Sequence, residues 1–214
     1  MDNVLKNISC GVYIVTSENS GCVINTFTQV TSLDSLVSIS INKENYTNKV
    51  ISKTKRFAVS FLNVDASMEL IGNFGFKSSQ DYDKFKSVKY EVIDNMKVVT
   101  ENVNGYVICD VKEIIDCGTH NLFIGIVKNQ HILNDGVAMT YDYYQKVKKG
   151  TTPPKAPSFV TQEKSTSDNG FKQYQCIICG HIYDEEVEGI SFSDLPDNWV
   201  CPKCRVGKDK FKRI

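Results

Sequence analysis

The stretch CIICGHIYDEEVEGISFSDLPDNWVCPKC runs from Cys176 to Cys204 and holds two C-x-x-C pairs. Each pair predicts a tight turn that points both sulfurs at one centre, and four thiolates around one centre build a tetrahedral site suited to zinc or to a single iron. No other feature constrains the fold as strongly, because so short a segment buries too little apolar surface to hold together without a staple. A disulfide reading is disfavoured in a reducing compartment. Around the pairs lie Tyr174, Tyr183, Phe192, Trp199 and Phe211. So many rings in so short a segment predict a dry shell around the sulfurs, which a redox metal needs more than a structural zinc does.

The rest of the 214 residues is long enough for one full-sized domain. Gly150 to Gly170 is rich in Pro, Ser, Thr and charge and reads as a linker. The expected division is therefore a large domain over 1–150, a linker over 151–170 and a small domain over 171–214. Twenty-five basic residues balance twenty-five acidic ones, so nothing global favours nucleic acid or an anionic membrane as partner. The first residues lack a signal-peptide pattern and no apolar stretch is long enough to span a bilayer, so the expected location is the cytoplasm. Cys10, Cys22, Cys109 and Cys117 fall in strand-like segments and are expected to be buried thiols acting as small apolar residues.

Ser35 to Ile41, Arg56 to Leu62, Gly105 to Ile115 and Leu122 to Val127 alternate or run apolar with β-branched residues, as strands do. Two helical signals interrupt them, one from Glu44 and one in DASMELIGNFG, where Asp65 or Ser67 can cap. The large domain is thus mainly β, a barrel with insertions. Asn42, Lys43 and Thr47 stand at the start of the first helix, where hydroxyl and lysine donors can hold a phosphate. Residues of these types also serve as ordinary turn and capping groups.

YQCIICGHIYD and LPDNWVCPKCRVGKDKF resemble the two knuckles of a rubredoxin. The resemblance implies one iron on Cys176, Cys179, Cys201 and Cys204, exchanging single electrons. Two departures stand out: the connection between the knuckles is short, and Arg205 occupies a position that usually holds glycine. A side chain there is expected to cost stability or shift the potential.

A one-electron iron cannot take hydride from a nicotinamide, and flavin is the common converter. Over about residues 1 to 150 the chain resembles the flavin reductase-like family, a split β-barrel that binds FMN and forms homodimers. NTFTQVTS resembles the segment beside the isoalloxazine ring, which implies Asn25, Thr26, Thr28, Gln29, Val30, Thr31 and Ser32 as flavin contacts. SINKENYT resembles the segment at the ribityl phosphate and adds Ser40, Asn42, Lys43 and Thr47. FGFKSSQDYDKF implies Phe74, Lys77, Ser78 and Asp81. GTHNLFIGIV resembles the family's Gly-Asp-His pattern with Thr119 in place of Asp, which implies His120 as the nicotinamide-side residue.

The fused arrangement resembles the high molecular weight rubredoxins. It implies an oxidoreductase in which NAD(P)H reduces FMN, the electrons pass to the iron, and a protein partner receives them, typically a flavodiiron protein that reduces oxygen or nitric oxide. Two other readings fit the residues. One is a flavoredoxin-like carrier fed by another protein instead of by NAD(P)H; the other is a zinc-ribbon interaction module on a β-barrel domain.

Overall fold

The computed structural model describes residues 4–152, 156 and 172–214. Apart from Thr151, Thr152 and Ala156, the segment expected as a linker lies outside the described residues. The chain divides into two compact units, Met1–Gly150 and Thr151–Ile214.

In the first unit the strands are β1 (Tyr13–Ser17), β2 (Ser20–Ile24), β3 (Thr28–Thr31), β4 (Leu36–Asn42), β5 (Arg56–Leu62), β6 (Tyr90–Ile93), β7 (Met96–Val99), β8 (Val103–Cys117) and β9 (His120–Ile132). Three helices accompany them: α1 (Tyr46–Thr54), α2 (Met68–Gly75) and α3 (Tyr141–Lys146). Seven strands form an antiparallel sheet in the order β2-β1-β5-β8-β9-β4-β3, and β6 and β7 form a separate hairpin. The end strands β2 and β3 are not paired with each other, yet β2 approaches β4. The sheet therefore curls without closing its hydrogen-bond ladder, which is the split barrel expected from the sequence.

Periodicity explains the layers. In β4, Val37, Ile39 and Ile41 are buried while Ser38 and Ser40 are half-buried on the other face, the period-two pattern of a strand covered on one side. They share a core with Val15, Cys22, Ile51 of α1, Phe57, Val59, Val107, Cys109 and Phe123. The inner strand β5 buries four residues in a row, Phe57 to Ser60. Its second face explains this, since Ala58 packs with Ile108, Met96 and Val98 under the β6–β7 hairpin. A third core gathers Leu70, Ile71 and Phe74 of α2 with Val12, Ile14, Leu62 and Tyr144 of α3.

Both expected helices form. Asn45 caps α1, its side chain accepting the Thr47 N–H at 2.9 Å, and Ser67 rather than Asp65 caps α2 by accepting the Leu70 N–H at 3.0 Å. Cys22 and Cys109 are buried as expected, and burial pushes their thiols up to about 11 and about 12. Cys117 corrects that expectation. It is exposed, because β8 runs past its last β5 partner at Asp110 and reaches a solvent-exposed turn at Gly118.

The second unit is a three-stranded sheet, β11-β10-β12, of Gln173–Cys176 (β10), Ile182–Asp184 (β11) and Phe211–Arg213 (β12), with the one-turn helix α4 (Glu185–Glu188). Tyr174 stacks on Phe192 with ring centroids 4.2 Å apart, and Tyr183, Trp199 and Phe211 complete one continuous aromatic cluster. Buried Glu185 ties down the connection between the knuckles by accepting the N–H groups of Phe192 and Lys172 and the Ser191 hydroxyl. The Phe192 N–H, foremost among these, holds its carboxyl below the usual carboxylate range.

Candidate metal centre and flavin face

The two knuckles repeat one backbone pattern. In the first, the Cys176 N–H donates to His181 O and the Gly180 N–H to Cys176 O, each at 2.8 Å. In the second, the Cys201 N–H donates to Val206 O at 2.8 Å and the Arg205 N–H to Cys201 O at 2.9 Å. The turns need a left-handed residue after the second cysteine of each pair, and Gly180 (φ 74°) and Arg205 (φ 61°) supply it. Backbone N–H groups of Cys179, His181, Cys204 and Val206 face the sulfurs of Cys176, Cys179, Cys201 and Cys204 in turn.

All four sulfurs are buried and lie within 4.8 Å of one another. Cys176 and Cys204 are 3.7 Å apart, and Cys179 and Cys201 3.6 Å. A tetrahedron with metal–sulfur bonds of about 2.3 Å has edges of about 3.8 Å, so the donor set fits one thiophilic ion. As free thiols the four cannot share one state: hydrogen bonding to Cys179 above all holds Cys176 down, and hydrogen bonding to Cys176 pushes Cys179 up.

The groups expected to meet a flavin separate into three places. Thr28, Gln29 and Val30 stand exposed on β3, with Ser32 exposed and Thr31 half-buried just beyond. Thr26 has a structural task, its hydroxyl donating to Ser40 O at 2.9 Å and accepting the Ser40 N–H at 3.2 Å. Asn25 precedes it and is half-buried.

The second place is the end of β4. Asn42 stands opposite His120 of β9, and the Lys43 N–H donates to Thr119 O at 3.0 Å. Thr119 Oγ1 lies 2.9 Å from His120 Nδ1. Asn42 Oδ1 accepts the Glu44 N–H, and Lys43 Nζ pairs with Asp116 Oδ1 at 2.6 Å. Thr47 departs from the expectation of a phosphate contact: it is 1% exposed, and its hydroxyl lies against the Cys22 sulfur in the core.

The third place is the segment after α2. Phe74 also departs from its expected role, because its ring is 1% exposed and packs edge-on against Phe85 and close over Gly21. Lys77 lies 4.0 Å over the Tyr82 ring, Ser78 accepts the Gln80 N–H, and Asp81 is exposed. Two residues outside the sequence reading anchor this segment to β2. Ser79 Oγ accepts the Gly21 N–H at 3.1 Å, and buried Lys84 donates to Gly21 O at 2.7 Å and to Phe74 O at 2.9 Å. Burial pulls the Lys84 ammonium down to about 8. A lysine sixty-three positions from its acceptor leaves no periodic trace in a sequence.

Two clefts, of about 120 and 260 Å³, lie between α2 and Glu101 and between residues 7–10 and α3. No expected flavin residue lines either. Of the expected contacts, Thr28, Gln29, Val30 and Ser32 lie exposed on and just beyond the end strand β3. Exposed Val30 and Leu33 add apolar surface beside them.

A family model described as flavin reductase like domain matches residues 5–151, and one described as rubredoxin matches residues 173–211. A high molecular weight rubredoxin of Moorella thermoacetica is 37% identical, with 98% of each chain covered. The chain belongs to the high molecular weight rubredoxin family. Its flavin reductase-like domain is also 38% identical to a ferric-chelate reductase (NAD(P)H) of Archaeoglobus fulgidus, over 68% of this chain and 89% of that protein. In fold it matches an NADH:FAD oxidoreductase of Streptomyces globisporus with a TM-score of 0.59 at 22% identity, over 64% of this chain and 84% of the other. The rubredoxin domain gives the sulfur tetrahedron its ion, iron, and the flavin reductase-like domain calls for a flavin. Among the described residues no helix is long and apolar enough to cross a membrane.

Proposed function

We infer that this chain is an NAD(P)H-dependent oxidoreductase of the cytoplasm that moves electrons from NAD(P)H by way of FMN to the four-cysteine iron and on to a redox protein, a flavodiiron oxygen or nitric oxide reductase. The observation that carries this reading is a buried tetrahedron of thiolates in the same chain as a flavin reductase-like domain. When bound, flavin supplies conversion of hydride into single electrons, and the iron supplies a ferric–ferrous couple.

The residues then divide the work. Thr28, Gln29, Thr31 and Ser32 offer hydrogen bonds along one edge of the ring, with Asn25 and Ser40 beside them. Asn42 and Lys43 face the ribityl phosphate. Lys77, Ser78 and Asp81 border the site from the segment after α2. His120 sits on the nicotinamide side, its ring orientation set by the Thr119 hydroxyl at Nδ1. Phe74 and Thr47 support the wall from within the core. In the small domain the four backbone N–H groups compensate the negative charge on sulfur. A homodimer suits the open face, since a second copy covering Val30 and Leu33 would turn a flat surface into a cleft.

The test is a visible spectrum of anaerobically purified protein before and after NADH or NADPH, with metal analysis of the same sample. Flavin and ferric-thiolate bands that both bleach on adding nicotinamide are the expected result. A flavin band that responds only to dithionite would make the chain a carrier fed by another protein, and zinc in place of iron would overturn the redox reading of the small domain.

A further inference from the structure

The turn between β8 and β9 folds over the end of β4 and brings a carboxylate onto the lysine expected to meet phosphate. Asp116 Oδ1 lies 2.6 Å from Lys43 Nζ and also accepts the Gly118 N–H at 2.8 Å, so the turn's own backbone holds the carboxylate in place. The hydrogen bond from Lys43, then that from Gly118, keeps the Asp116 carboxyl below the usual carboxylate range, so it stays ionised at neutral pH. A carboxylate and a phosphate monoester make the same demand of an ammonium group, a short charge-assisted hydrogen bond. The pair is open to solvent, with Lys43 37% and Asp116 72% exposed, and an exposed pair of this kind is weak enough to exchange partners.

We propose that Asp116 competes with the ligand's phosphate for Lys43 and thereby sets how strongly the flavin site prefers FMN over riboflavin. This rests on the reading of Asn42 and Lys43 as the phosphate end of the flavin site. The pair as a whole is neutral, so an incoming phosphate meets no net attraction until the carboxylate lets go. Phosphate selectivity is therefore lower than a lone lysine would give.

The substitution Asp116→Asn tests this cleanly, because asparagine keeps an oxygen for the Gly118 N–H while losing the charge. Full-length protein freed of its flavin is titrated with FMN and with riboflavin, following quenching of flavin fluorescence, for the wild type, D116N, K43Q and the double variant. The expected result is FMN binding about fivefold tighter in D116N, the size of one exposed ion pair, with riboflavin unchanged. The gain should vanish in the K43Q background. Unchanged or weakened FMN binding in D116N would overturn the proposal, as would an equal gain for riboflavin. FMN binding unchanged in K43Q itself would instead remove the reading of Lys43 as part of the phosphate end, and the proposal with it.

Discussion

Arg205 holds a left-handed backbone, φ 61°, at the position where the matching turn has Gly180 at φ 74°. An L side chain costs roughly 1–2 kcal/mol there, and glycine avoids most of that cost. Arg205→Gly is expected to stabilise the rubredoxin domain by about 1 kcal/mol, read as an approximately fivefold slower loss of iron to a chelator at fixed guanidinium concentration. Lys84 gives a pH-dependent counterpart in the large domain. Its folded pKa, lowered to about 8, lies below the ordinary 10.5. Between those values the unfolded chain carries a proton that the folded chain has released, so this group adds stability as pH rises through the window and loses it as pH falls towards 8. Relative to Lys84→Met, wild-type protein should gain on the order of 2 kcal/mol in urea unfolding between pH 7.5 and pH 10. Neither result was readable in advance from one residue type. Arg205 was marked by the C-x-x-C frame around it, whereas Lys84 depends on carbonyls 10 and 63 positions away.

Strands and helices with a clear period were legible. The alternation of β4 appears directly in residue order, and so do two candidate caps for α2, of which Ser67 is used; Asn45, the cap of α1, is not singled out there. The short β1, β2, β3, β6 and β7 carry less signal, because four or five residues do not establish a period. Site residues on elements fared unevenly for a related reason. Phe74 and Thr47 lie in stretches that resemble flavin contacts, but the turn of each helix carries their side chains into the core. At this scale the link between β3 and β4 can be tested through Thr26, whose hydroxyl serves both backbone groups of Ser40. Thr26→Val should cost about 1–2 kcal/mol in thermal or urea unfolding by leaving those groups unpaired, and should weaken flavin binding by loosening the β3 face. Thr26→Ser, which keeps the hydroxyl, should recover most of both.

The whole molecule is two compact units whose stabilities have different sources. The large unit rests on three apolar cores, and the small one on five rings and a metal. Cys176→Ala or Cys204→Ala should therefore unfold the small unit alone, with iron lost and flavin content retained in the same preparation, as seen by metal and flavin analysis beside NMR dispersion. Loss of flavin as well would show the two units to be one cooperative structure. The knuckles carry a longer consequence. The donors aimed at the sulfurs are main-chain amides, so no side-chain exchange short of proline removes them. What this centre requires is a loop shape, which two different residue types supply. Arg205 stands where the first knuckle has Gly180, at nearly the same dihedral, and the amide donors keep their places on the sulfurs in both knuckles.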